Sequence, residues 1–205
     1  MSEERKPITQ EDFITLVREA INTGSLKLID LELDFEIDLI PLLLQMGIQL
    51  KKEDGNTYYI DCPFDIFISN TVFKKPFSIK HQPFIVESAP IENDRYCQAK
   101  IRFPKNYIHG LLCSDSVFES GVFLKGITFE SGVAFTNVTF NKDASFRENL
   151  FKNEIVSFQN VTFKGLLQFT HSKFEGNAYF TNSLIESGVC FGLSSFEKEK
   201  EVSFE

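Results

Sequence analysis

The chemistry on offer in this 205-residue chain begins with carboxylates. Asp30, Glu32, Asp34, Glu36 and Asp38 alternate without a break with Ile29, Leu31, Leu33, Phe35, Ile37 and Leu39. A row of carboxylate oxygens suits a hard divalent cation or a basic partner. As a helix the segment would bring Asp30, Asp34 and Asp38 together at i, i+4, where like charges repel. The alternation therefore predicts a strand, although Phe35–Met46 could still turn helical. Neighbouring carboxylates on one strand face lie nearly 7 Å apart, about twice the ~3.3 Å rise, which is too wide for a tight metal cage. The row reads first as the solvated face of an edge strand, discouraging self-pairing, and second as a candidate interaction surface.

Other reactive groups are scattered. Cys62, Cys97, Cys113 and Cys190 form no C-x-x-C pair, and His81, His109 and His171 have no nucleophile or ligand-spaced partner beside them. Neither a zinc knuckle nor a disulfide framework is indicated, and the thiols read as free and buried. Gly121, Gly126, Gly132 and Gly165 fall at turn positions without a phosphate-loop lysine. No catalytic residue, cofactor or metal is expected, and the chain does not read as an enzyme. With 21 Lys and Arg against 29 Asp and Glu, the net charge of -8 lacks the positive footprint of a nucleic-acid binder. The polar start shows no apolar signal core, and Ile40–Leu44 falls far short of the ~20 apolar residues of a membrane span. These points lead to the expectation of a soluble, cytoplasmic protein. The sequons at Asn137 and Asn160 are taken as products of the repeat described next.

The elements that must hold such groups are announced by phenylalanine, of which there are 23 against 5 Tyr and no Trp. From Phe118 onward large apolar residues recur in steps of 5 or 6, with few exceptions. Four to a row they are Phe118, Phe123, Phe129, Phe135; Phe140, Phe146, Phe151, Phe158; Phe163, Phe169, Phe174, Phe180; Ile185, Phe191, Phe196, Phe204. A helix needs apolar steps of 3 and 4 and a simple strand needs alternation. A sustained 5/6 step belongs to a chain that turns a corner about every five residues. Columns advance by 22 or 23, with one 24, which predicts a solenoid with four short faces per coil and one large ring per face. Small or β-branched residues two positions earlier, such as Val133, Val138, Ala144, Asn149, Val156, Ser172 and Ala178, share the interior, because residues two apart in an extended segment point the same way.

The strings Val138-Thr139-Phe140, Ala144-Ser145-Phe146, Val161-Thr162-Phe163 and Ala178-Tyr179-Phe180 carry a resemblance. They are similar to the motif of the pentapeptide-repeat family, a central Leu or Phe preceded two positions earlier by a small residue. The resemblance implies a right-handed quadrilateral β-helix, an all-β solenoid, over 113–205. It also implies a protein-binding or regulatory role, or, as in members that protect type II topoisomerases, mimicry of duplex DNA. This sequence departs from the family by an extra residue at about every second repeat. Residues 114–205 hold 12 carboxylates and 8 bases, a dilute charge for a mimic.

Ahead of the regular coils, residues 1–56 are expected to form an amphipathic helix, capped at Thr9 and ending before Gly24, followed by the acidic strand. In 57–112, Phe67, Phe73, Ile79 and Phe84 suggest degenerate coils. An inserted loop follows at about 86–100, and Phe103, Ile108 and Cys113 lead into the regular repeat. The favoured partner is a protein of unknown identity. The last coil, stopping on Phe204 without an amphipathic cap, suggests a homodimer through that end.

Overall fold

Extended segments of two to eight residues, each ending at a sharp corner, wind into a four-walled all-β solenoid with parallel strands stacked coil on coil. The computed structural model describes residues 4–54, 57–80, 82–85, 96–104, 109–152, 155–197 and 202–204, with the backbone alone for 54, 82–85, 96–99 and 109. In every coil the chain visits the walls in the same order. The first wall stacks Ser25–Ile29, Asp65–Ser69, His109–Ser114, Gly132–Thr136, Ile155–Gln159, Asn177–Thr181 and Val202–Ser203. The second runs from Leu31–Leu33, itself covered by the parallel strand Lys6–Ile8, to Leu184–Ile185, the third from Ile37–Asp38 to Val189–Cys190, and the fourth from Thr57–Asp61 to Ser195–Phe196. Six turns are complete and a seventh begins. At ~4.8 Å per coil the six turns are about 29 Å long.

The registers give the length of each turn. Leu26 pairs with Ile66, Ile66 with Leu111, Leu111 with Val133, Val133 with Val156, Val156 with Ala178, and Ala178 with Val202. Successive coils therefore take 40, 45, 22, 23, 22 and 24 residues. The long early turns contain a helix and two antiparallel excursions, Lys51–Asp54 against Thr57–Asp61 and Gln82–Ile85 against Tyr96–Phe103. Residues 96–100, given to a loop by the sequence reading, are thus strand. Ile108 and the rest of that insertion, 86–95, lie outside the described residues.

The interior is filled by rings in columns. On the second wall Phe73, Phe118, Phe140 and Phe163 stack at 4.6, 5.0 and 5.0 Å. On the fourth, Phe103, Phe129, Phe151, Phe174 and Phe196 stack at 4.7 to 5.3 Å. Phe135, Phe158, Phe180 and Phe204 make the first-wall column, and Phe146, Phe169 and Phe191 the third. Rings within a column are nearly parallel because the strands are in register. Rings of facing columns meet edge to face, as Phe146 of the third wall does Phe158 of the first at 80°, which brings positive edges onto negative faces. Ile185, Phe191 and Phe196 in the sixth coil are half-buried.

One member of the ladder is misplaced by the spacing argument. Phe123 pairs with Ser145, and its side chain lies outside, 37% exposed. The inward pair on that strand is Val122 and Leu124. Steps of 118, 124, 129 are also 6 and 5, so the ruler alone could not choose, and a one-residue slip in an extended segment turns a side chain to the opposite face. The ring folds back over Gly121, where an added Cβ would lie 2.8 Å from its Cζ, and Lys80 Nζ sits 5.8 Å from its centroid. Phe67 likewise points outward, between the buried Ile66 and Ile68.

Corners are held by side chains that bond the backbone of the next coil. Between the first and second walls Asp30, Asn70, Asp115, Asn137, Asn160 and Asn182 all adopt the left-handed conformation, with φ from 46° to 57°. Asn and Asp tolerate that region best among residues with a side chain. Asn137 Nδ2 donates to Asp115 Oδ1 at 2.8 Å and Asn160 Nδ2 to Asn137 Oδ1 at 3.0 Å. Inside, buried Asn149 accepts from Ile127 N–H and donates to Leu124 C=O, both at 2.8 Å. Ser172 in the next coil bonds Asn149 N–H and Phe146 C=O in the same manner. These polar residues occupy small interior slots because the corner leaves backbone groups that need partners.

The N-terminal end is closed by α1 (Gln10–Thr23). A capping box joins Thr9 and Asp12, Gly24 ends the helix at φ 76°, and Phe13, Val17 and Ala20 are buried against the first coil. A second helix, α2 (Leu39–Gln45), interrupts the first coil. Pro41 fits because it falls in the first turn, where N–H groups lack intrahelical acceptors. Gly47, at φ 84°, closes it, with Ile48 N–H bonding Leu43 C=O.

Candidate interaction surfaces

The acidic row is not one strand. The corner at Asp30 and a second bend between Leu33 and Ile37 divide it among three walls. From Leu31 to Leu39 the alternation persists because each short piece points its apolar residues inward, whereas Ile29 before the Asp30 corner lies outside, 47% exposed, and the carboxylates leave in different directions. Asp30 accepts from Asn70 Nδ2 at 2.8 Å, Glu32 pairs with Lys74 at 2.6 Å and Asp34 with Lys75 at 3.7 Å. Glu36 and Asp38 line a cleft of about 300 Å³ between α1 and α2. The floor of this cleft is apolar, built from Phe13, Ile14, Phe35 and Leu42, with the Phe13 and Phe35 rings 5.8 Å apart. No Lys, Arg or His lines it. Glu36 is exposed and has no hydrogen-bond or ion-pair partner among the described residues.

Along the regular coils charges come in pairs, most of them across the strand spacing and one, Lys173 with Glu175, within a coil. Lys125 meets Glu148 at 3.1 Å, Lys152 meets Glu130 at 3.2 Å, and Lys173 bridges Glu175 and Glu197 at 2.7 and 3.4 Å. The first wall carries no charge on its outward positions from Phe67 through Leu112, Ala134 and Ser157 to Tyr179. A shallow groove on it, also about 300 Å³, is lined by Ile29, Phe67, Leu112 and Ala134 with the hydroxyls of Ser69, Ser114 and Thr136.

A charged cluster lies on the fourth wall of the two irregular coils. Arg102 Nε donates to Asp61 Oδ1 and Lys51 Nζ to Asp61 Oδ2, both at 2.6 Å, while the guanidinium lies 4.0 Å over the Tyr59 ring. Burial works to raise the Asp61 carboxyl, but the hydrogen bonds from Arg102 and Lys51 outweigh it and hold the carboxyl below its ordinary range.

Burial pushes the Cys62 and Cys113 thiols well up, which leaves them unreactive. Cys190 is exposed, and hydrogen bonds from Thr170 and the Gly192 backbone lower its thiol. His171 occupies an exposed left-handed corner at φ 61°. His81 lies outside the described residues. No group of three metal-ligating side chains occurs among the described residues, and no helix among them is long and apolar enough to cross a membrane.

Sequence reasoning missed the cleft, because its floor draws on α1, the Phe35 bend and α2, which nothing in their spacing connects. The apolar periodicity of α1 gave Phe13, and Ile14 beside it was the available signal of a second apolar surface. No protein-family model, curated protein or solved structure matches this chain.

Proposed function

We propose that the protein is a non-enzymatic interaction or regulatory module of the cytoplasm, whose walls present side chains to a protein partner. The cross-coil pairing of charge on the regular coils carries this reading. With Glu130 and Glu148 matched by Lys152 and Lys125, and Glu175 and Glu197 sharing Lys173, the rod shows a partner a patterned surface on which these carboxylates are already engaged. Electrostatic pairing of that kind favours selectivity over long-range attraction. It also counts against the alternative, a duplex mimic that would guard a type II topoisomerase, since a mimic gains from unpaired carboxylates at regular intervals. The short inward Phe with its small companion two residues before remains the reason to read the coils as pentapeptide repeats. Exposed Leu184, Leu193 and Phe204 on the last turns support pairing of two copies there as part of the same proposal.

The test is affinity capture from the native host with the full chain, run beside a gyrase supercoiling assay. A specific partner that is not a topoisomerase supports the module. Protection of gyrase promotes the mimic, and turnover of any small molecule overturns both. Light scattering that shows a monomer at high concentration removes the homodimer.

A further inference from the structure

We propose that a row of cations on the third wall binds an acidic peptide segment of a partner protein, an inference that rests on the interaction-module reading and gives the partner a chemistry. From Ser78 and Lys80 up to Cys190 and Gly192, the outward positions of this wall hold Lys80, Lys125 and Arg147 one above another and no carboxylate. Lys80 and Lys125 are strand partners, and Arg147 follows in the next coil, where its C=O accepts from Gly126 N–H at 3.1 Å.

Such a row is costly. Like charges directly opposite on adjacent strands destabilise a sheet, and these strands lie only ~4.8 Å apart. All three side chains are half-buried, so salt and water screen them less than they screen fully exposed groups. On the neighbouring wall of the same coils Lys152 meets Glu130 instead.

Compensation from within the chain is incomplete. Lys125 pairs with Glu148 at 3.1 Å, and Lys80 Nζ has the Phe123 ring, 5.8 Å to its centroid. Arg147 Nε is buried and donates to no acceptor among the described residues. A buried donor left in that way calls for an acceptor from outside. The other carboxylates bordering the wall are engaged. Asp38, in register with Ser78, lines the α1/α2 cleft and has a partner of its own, and Asp143, at the far edge of the wall, accepts from Leu166 N–H at 2.9 Å. Exposed His171, at a left-handed corner like that of Glu148, adds no negative charge.

Sign, spacing and an apolar neighbour together select the ligand. Carboxylates two residues apart in an extended peptide are separated by nearly 7 Å, and the row spans ~10 Å over two coils, so its long side chains reach two such groups. Arg147 supplies the planar fork that suits a carboxylate. Phe123, 37% exposed on the same strand as Lys125, gives an apolar residue of that peptide a surface to cover. A free anion satisfies Arg147 but leaves Phe123 in water. A nucleic-acid strand carries its charge past the row into the field of a chain of net charge -8. With a Debye length of about 8 Å at physiological salt, a short acidic segment seated on the row feels these cations ahead of more distant carboxylates.

The test uses the full ¹⁵N-labelled chain and three short synthetic peptides that share one Leu and one Phe and differ only in two flanking residues: Asp, Asn or Lys. The Asp peptide is expected to shift the amide signals of Phe123, Lys125 and Arg147 at about 1 mM or below, and the Asn peptide to bind roughly tenfold more weakly. The Lys peptide should leave those signals unmoved. Arg147→Gln and Lys80→Gln should each keep or raise the melting temperature, because repulsion within the row is relieved, and each should weaken the Asp peptide several-fold. Equal affinity for the Asp and Asn peptides, or an Asp affinity that survives both substitutions, overturns the proposal. A fall in melting temperature in both variants overturns it as well, since the row would then serve stability. Inorganic phosphate or a single-stranded oligonucleotide that moves the same signals more tightly than the Asp peptide overturns the choice of a peptide. Capture of a host partner that leaves these signals unmoved overturns this site and leaves the module reading standing.

Discussion

The two irregular coils and the four regular ones share the same walls but reach them by different means. From Gly132 onward the turns take 22 to 24 residues, and like rings meet like rings on every wall. In the first two coils the turns take 40 and 45 residues, and the inward positions hold Leu26 and Leu28, then Ile66 and Ile68, Ile60 and Cys62, Ile101 and Phe103. The repeat can be built from one instruction because each coil finds an identical surface beneath it. The irregular coils have no such template, so helices, hairpins and charged contacts complete them. The difference teaches where selectivity resides. A regular wall repeats the same backbone path and inward ring every coil, while the α1/α2 cleft and the Asp61 cluster each occur once among the described residues.

The largest test of this contrast removes one ring. Phe158 stacks on Phe135 at 5.2 Å and on Phe180 at 4.8 Å, and meets Phe146, Phe163 and Phe169 edge-on. Phe158→Ala should cost about 3–5 kcal/mol in urea unfolding. Phe123→Ala, outside the wall, should cost below about 1 kcal/mol, chiefly its contact with Lys80. Equal costs would show that the ladder runs through Phe123 after all.

Next come backbone approaches. A Cβ on Gly165 would lie 2.3 Å from the carbonyl carbon of Lys142 and 2.4 Å from Asp143 N, in backbone that cannot move while Lys164 N–H and Leu166 N–H remain bonded to the coil below. Gly165→Ala is expected to cost about 1–3 kcal/mol through that overlap. In the irregular region Gly47→Ala meets no atom within 4 Å, and only its left-handed φ of 84° opposes the change. That costs about 1–2 kcal/mol. A pair of crystal structures separates the two: coils four and five should shift apart in the first variant, and the α2 terminus should rearrange in the second.

The interior polar slots give a comparable but more graded effect. Asn149→Ala leaves Ile127 N–H and Leu124 C=O buried without partners, expected to cost about 1–3 kcal/mol by thermal unfolding. Asn149→Ser should recover part of this, since Ser172 one coil later bonds equivalent backbone groups. No recovery would mean that the slot depends on the reach of the amide.

These positions also mark how far the sequence could be read. The four-walled solenoid was legible because ring spacing is a direct image of corner spacing, and because strand register preserves it from coil to coil. Phe123 escaped because two rulers with equal steps fit the same stretch, and only pairing with Ser145 separates them. The acidic row kept its inward alternation from Leu31 to Leu39 through the second bend, and Ile29 matched it in type though it points outward, so a period of two looked like a single strand. The cleft was not legible, since contact between Phe13 and Phe35 depends on how α1 closes the end of the rod. Asn137 and Asn160 looked incidental beside the rings, yet their side chains link coils at a corner.

The smallest expected effect concerns the substitute for ring stacking between the first two coils. Asp61 belongs to the first coil and Arg102 to the second, so their 2.6 Å contact, with Lys51 opposite, ties the coils on a wall where Tyr59 and Arg102 replace stacked rings outside. The Asp61 carboxyl is held below its ordinary value of 3.8, so the folded state favours the ionised form more than the unfolded chain does. The resulting stabilisation is fully present above that ordinary value and is lost as pH falls through the lowered folded-state value. Asp61 retains 24% side-chain exposure and Lys51 retains 55%, so solvent screening limits the contribution to at most about 1 kcal/mol. Asp61→Asn should lower the melting temperature at neutral pH and converge with the wild type as pH drops below the carboxylate range. Glu130→Gln, in the regular coils, should change melting little at either pH, because stacked Phe129 and Phe151 hold that junction. A pH-independent loss in Asp61→Asn would place the contribution in packing of the Arg102 stem against Tyr59, and the contrast between charged and aromatic junctions would fail at this point.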